Sequence, residues 1–145
     1  MAIKGLYIHA DKELSLRKKS VHDVVKNAKN FLNKKIKSLE INFINADSIY
    51  SINKEFLGHK YFTDVISFDY SDESNSFDGE IFICYEIAEK NSKRFHVSFD
   101  DELKRLIIHG LLHFSGFDDK TSALRKKMKK VEDELMKLSV KVKLL

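Results

Sequence analysis

The 145-residue sequence has no proline and one cysteine, and each scarcity removes a class of explanation. Cys84 stands alone inside the apolar run "EIFICYE", so no intrachain disulfide can staple the fold, and a reducing, cytoplasmic setting is expected. Nowhere do about eighteen apolar residues follow one another, and the opening "MAIKGLYIHADKEL" has no apolar core of signal-peptide length. Neither a membrane span nor export is expected. No repeat, proline-rich linker or low-complexity tract divides the chain. A hydrophobic fraction of 43%, with 11% aromatic residues, suffices for a packed core, and the length suits a single domain over residues 1–145.

Charge is unevenly placed. Residues 12–37 carry nine Lys and Arg against two acids, residues 120–145 carry nine against three, and residues 69–80 carry five acids with no Lys or Arg. Such basic flanks can steer a polyanion such as RNA, although two solvated, lysine-rich helix faces would read the same way.

Periodicity assigns the elements. "IKGLYIHA" is β-like. From Leu16, the positions Val21, Val24, Val25, Ala28, Phe31, Leu32 and Ile36 follow helical spacing. "LEINFIN" (39–45) alternates as a half-buried strand does, and "ADSIYSINKEFL" reads as a short helix capped by Asp47 or Ser48. "TDVISFDY" (63–70) and "EIFICY" (80–85) are strands by their β-branched and aromatic content, joined by an acidic loop, "DYSDESNSFDGE" (69–80). "EIAEKNSKRF" is helical. "SFDDELKRLIIHGLLHFSG" is the clearest helix, with Ser98 and Asp101 approximating a capping box and the stripe Leu103, Leu106, Ile107, Leu111, Phe114. A last helix from Ser122 spaces Leu124, Met128, Val131, Leu135 and Leu138 along one seam. The pattern predicts an α+β fold, one small mixed sheet of about four strands packed with about five helices.

The stretch "HGLLHFSGFDD" (109–119) carries the chemistry. His109 and His113 are four apart, so on a helix their imidazoles share a face. A third ligand six residues on would be carried about 9 Å along a continuing helix, at 1.5 Å per residue. Gly116 resolves this, because glycine takes the left-handed conformation that ends a helix and turns the chain back, returning Asp119 to the histidines. Two neutral imidazoles and a carboxylate form a three-ligand set with an open fourth position. That set suits one zinc ion per chain, sited at the C-terminal end of the central helix and holding a water. The alternative is two incidental histidines on a core helix with a plain glycine cap. The spacing is also that of H-E-x-x-H metalloproteases, but Gly110 stands where their glutamate base would be.

"HGLLHFSGFDD" strongly resembles the signature of the YbeY family, H-G-x-L-H-L-x-G-aromatic-D-H. "INKEFLGHKYFTDVISF" (52–68) looks like that family's L-N block leading into T-D-V-L-S-F, and "GEIFIC" (79–84) looks like its G-D-I-x-I strand. The resemblance implies a metal-dependent, single-strand-specific endoribonuclease. Such an enzyme acts in ribosomal RNA maturation and ribosome quality control at the small ribosomal subunit, using a zinc-polarised phosphate or a zinc-activated water. His109 and His113 then fall on the first two ligands, and Asp119 on a third that is histidine in most members. Leu57 stands where the family usually has arginine, and Phe62 where it has proline. Lys54, Lys60 or Arg105 are candidates to take over the arginine's phosphate contact. No general base is assigned, His59 reads as a surface imidazole, and the oligomeric state is open. Two other readings are carried forward: a ribosome-associated RNA-binding assembly factor with a structural metal, and a metalloprotease-like hydrolase.

Overall fold

Alternating apolar residues set the register of a four-stranded sheet: β1 (Leu6–Ala10), β2 (Lys35–Ile44), β3 (Val65–Asp69) and β4 (Ser76–Cys84), in the order β1-β2-β4-β3. A computed structural model describes residues 2–60, 62–72 and 75–145. β1 and β4 flank β2 in parallel, and β3 closes the far edge antiparallel to β4. Because side chains alternate, Ile8, Ile41, Ile81 and Ser67 fall in one row across one face, and Ala10, Phe43, Ile83 and Val65 in the next. This face packs against α1 (Lys18–Leu32) and α4 (Phe99–Phe114) in the main core. On the opposite face Ile66 and Cys84 meet Ile49 of α2 (Ala46–Leu57), beside α3 (Tyr85–Arg94), in a smaller cluster.

The sequence predicts a helix running from Leu16 towards Ile36, but α1 stops at Leu32. Asn33 takes the left-handed conformation (φ 55°) and its N–H bonds back to Asn30 and Lys29, so Ile36 belongs to β2. Asparagine tolerates that conformation better than most residues, and a chain-reversing stop overrides hydrophobic period. The cap of α2 is Asn45, whose side chain accepts from Ser48 N at 2.9 Å, and not Asp47 or Ser48. The acidic loop is shorter than expected. Ser76 to Glu80 are strand, with Phe77 buried on α4, while Glu73 and Ser74 lie outside the described residues.

α4 runs through the middle of the molecule. Ser98 caps it by accepting from Asp101 N at 3.0 Å, and Leu103, Leu106, Ile107, Leu111 and Phe114 are all buried as the stripe predicts. Each such side chain, moved from water to the core, contributes roughly 1.5–3 kcal/mol. Lys104 is fully buried on the same helix, donating to the carbonyls of Ser139 and Val142 (3.1 and 2.9 Å) and pairing with Asp101 at 3.2 Å. Asp100 in turn accepts from the N–H groups of Leu144 and Leu145, so residues 139–145 are pinned to the first turns of α4. α5 (Ser122–Leu138), capped by Thr121, lies against α4 through Met128 and Leu135. Leu124 and Leu138, the ends of the predicted seam, remain exposed. Among the described residues no helix is long and apolar enough to cross a membrane.

Candidate metal centre

His109 and His113 occupy the last turns of α4 with rings 4.7 Å apart and nearly perpendicular, and their Nε2 atoms approach to 3.1 Å. The helix then ends in a Schellman turn: Gly116 (φ 91°) donates to His113 O and Phe117 donates to Leu112 O, each at 3.1 Å. Phe117 folds onto the core, which fixes the reversal, and Asp119 returns with Oδ2 3.8 Å from His109 Nε2. One donor atom from each of the three residues lies within 4.8 Å of the others.

The electrostatics favour a neutral imidazole at His113. Burial depresses the His113 pKa, with the neighbouring His109 adding to the effect, while Asp119 and a backbone bond to Phe117 oppose it. His109 Nδ1 lies 3.1 Å from Glu132 Oε2 on α5, and an ionised carboxylate can only accept there, so a ring proton sits on Nδ1 and Nε2 is the nitrogen turned to His113. This is the carboxylate–histidine arrangement that orients metal ligands. Two donors bound tetrahedrally to one zinc stand roughly 3.3–3.6 Å apart, from bond lengths of about 2.0–2.2 Å. The histidine pair, at 3.1 Å, falls a few tenths of an ångström short of that spacing. Asp119, its side chain half exposed, has Oδ2 at 3.8 Å from His109 Nε2, slightly beyond it. The donor set therefore fits a divalent ion of zinc type.

Glu132 was not singled out from the sequence. It is 3% exposed and shared, its other oxygen lying 3.4 Å from Arg105 Nη1. Arg105 itself is committed to buried Glu102 through Nε and Nη2 at 3.0 and 2.7 Å, and these bonds raise its pKa further. The signal was present: Glu132 sits four after Met128 and three before Leu135, on the buried face of α5. A carboxylate placed on a core stripe requires a partner.

Two clefts meet at the three ligands. One, of about 480 Å³ between α2 and β3, is lined by Asn53, Leu57, His59, Asp64 and Ser67 together with His109, His113 and Asp119. His59 thus faces this cleft while remaining exposed. Ser67 lies on the α4 side of β3, whereas Ile66 packs with Ile49 and Cys84 on the other, and one Asp64 oxygen accepts from Asn91 at 3.2 Å. The other cleft, of about 650 Å³, runs along α5 and shares His109 and Asp119 as its wall. Lys54 and Lys60 are exposed and line neither cleft, and Arg105 lines the α5 cleft with its guanidinium engaged as above.

Gly110 explains the missing glutamate. A Cβ there would lie 2.8 Å from Ile81 Cδ1 and 3.2 Å from Ser67 Oγ, so the position following His109 faces the sheet and has no room for a catalytic side chain.

Comparison with known proteins places these features in one family. Residues 7–139 match the family model described as "Endoribonuclease YbeY". Proteins of that name from Flavobacterium johnsoniae and Chlorobaculum tepidum are 47% and 46% identical over 97 and 99 residues, covering 66% and 68% of this chain and 69% and 72% of theirs. The one from Parabacteroides distasonis is 34% identical over 122 residues, 84% of this chain and 85% of its own. A solution structure of a Thermotoga maritima protein superposes with a TM-score of 0.61 at 27% identity, covering 91% of this chain and 89% of that one.

Proposed function

The chain belongs to the endoribonuclease YbeY family, and on that premise we propose that it cuts single-stranded RNA with a zinc ion held by His109, His113 and Asp119. The observation that carries this reading is the convergence of the three donor atoms within 4.8 Å on the wall of an open polar cleft. When bound, zinc supplies Lewis acidity, polarising a phosphoryl oxygen and lowering the pKa of a coordinated water. The chain supplies the rest. Glu132 fixes the ring of His109, burial keeps His113 neutral, and the exposed carboxylate of Asp119 leaves one side open to substrate. Replacing the family's usual histidine by Asp119 adds a negative charge and weakens the electrophile relative to a three-imidazole site.

Family resemblance further supports ribosomal RNA of the small subunit as the substrate, acted on in the cytoplasm and in the service of ribosome maturation and quality control. Cleavage of a labelled single-stranded RNA by wild type but not by His113→Ala, purified side by side, is the expected result. Indistinguishable activities would refute the reading.

One observation favours a second reading. Leu57 brings no charge to the α2–β3 cleft, and no Lys or Arg lines it among the described residues. If the metal serves only structure, the protein is an RNA-binding assembly factor, and it keeps RNA affinity without turnover. A protease is disfavoured by the crowding at Gly110.

A further inference from the structure

We propose that the RNA strand reaches the metal centre along α5, with its phosphates on Arg125, Lys126 and Lys130; this rests on the nuclease reading and supplies the path it lacks. His109 and Asp119 form the wall common to both clefts, so a strand lying in either one passes the ligands. The two clefts differ in charge. The α2–β3 cleft presents the carboxylates of Asp64 and Asp119 and no Lys or Arg among its described lining residues. The α5 cleft presents Arg105, Arg125, Lys126, Lys129 and Lys130 against the carboxylates of Asp119, Glu132 and Asp133.

Pairing decides which of those cations can serve a phosphate. Arg105 is held by Glu102 and Glu132, and Lys129 by Asp133 at 3.0 Å. Among the described residues, Arg125, Lys126 and Lys130 form no ion pair. Arg125 donates through Nη1 to the backbone carbonyl of Asp119 at 3.2 Å, which places a guanidinium next to a metal ligand with its remaining donors unspent. Lys126 and Lys130 are one turn apart on the same side of α5, about 6 Å along the axis, and extend the line of charge away from the centre. Met128 is buried beneath the same cleft, so the aliphatic stems of the lysines give the surface on which a base can lie. A cationic groove leading over an apolar floor to the reacting centre is the arrangement that binds single strands without sequence preference. The bland alternative is a solvated lysine face, and what distinguishes this one is its continuity with His109 and Asp119.

The test measures binding of a fluorescein-labelled single-stranded RNA by anisotropy over a range of salt, all proteins carrying His113→Ala so that the probe stays intact. Lys126→Glu with Lys130→Glu is compared with Lys141→Glu with Lys143→Glu, which changes net charge equally. The latter pair lies beside Asp100, about 20 Å along α4 from His113 at 1.5 Å per residue. The α5 pair should lose about tenfold or more in affinity, and the slope of log K against log salt should shrink by about 1.4, at roughly 0.7 per lost phosphate contact. The tail pair should stay within about twofold of the parent. Equal losses in the two pairs, or none in the α5 pair, overturn the path. Cleavage in the otherwise native background then separates the two ideas. If the native chain and the α5 pair cut RNA equally, only the path falls; if the native chain neither binds nor cuts, the nuclease reading falls with it.

Discussion

Glu132 on α5 holds the imidazole of His109 on α4, with Oε2 3.1 Å from Nδ1, and so couples the candidate metal centre to the packing of two helices. Replacing the carboxylate by an amide keeps the shape and removes the charge. Glu132→Gln is therefore expected to weaken zinc affinity about 10- to 100-fold, the usual effect of losing such a partner. Competition with a chromophoric chelator measures it, and an unchanged affinity would show that His109 needs no orienting group.

Asp119 is on a short loop with its side chain half exposed, so its loss should spare the fold. Asp119→Ala should lower zinc content while leaving the melting temperature of the metal-free protein within a few degrees, and Asp119→His should restore binding. Equal zinc in the alanine variant and wild type removes Asp119 from the ligand set.

Gly110 has sheet atoms where a side chain would go. Gly110→Ala must push Ile81 or Ser67 aside, and overpacking of this kind costs about 1–3 kcal/mol. Urea denaturation should show the loss. A neutral result would mean that β3 moves freely away from α4.

Lys104 has no exposed surface and pairs with Asp101 and, at 3.7 Å, Asp100. Lys104→Met leaves Asp100 without its cation and two carbonyls without a donor, and breaking a buried pair by removing one partner costs about 3–5 kcal/mol. Partial exposure of both aspartates favours the lower end. The variant should also expose residues 139–145 to proteolysis, and protection of that segment equal to wild type would contradict the latch.

Tyr85 donates to Asp11 Oδ2 at 3.2 Å, and burial together with that carboxylate pushes its pKa up to about 12. The folded state thus holds this proton more tightly than the unfolded chain, whose tyrosine titrates near 10. The contact's stability is fully present below about pH 10 and is lost as pH rises through about 12. Ultraviolet titration should show a late phenolate component that disappears in Tyr85→Phe; identical curves for both proteins would rule the contact out.

Much of this architecture was legible because it is local. The Ser98 cap, the stripe of α4 and the strand alternation are set by residues within one or two turns of each other, and the spacing of His109, His113, Gly116 and Asp119 names three donors that the fold brings within 4.8 Å. What was not legible came from elsewhere in the chain. The stop at Asn33 depends on one residue's tolerance of a rare conformation, against a periodicity that continues past it. Glu132 lies 23 residues from His109, and its sequence neighbours read as a solvated lysine-rich face. Arg105 reads as a phosphate ligand in the sequence, but the buried Glu102 three residues before it engages the guanidinium.

The same contrast divides the site itself. The Schellman turn closes a loop of only eleven residues around three donors, and short loops cost little chain entropy. Residues 109–119 would therefore offer a metal its three donors from one local stretch of chain. Glu132 comes from α5, so the orientation of the His109 ring depends on a helix that the other donors do not need.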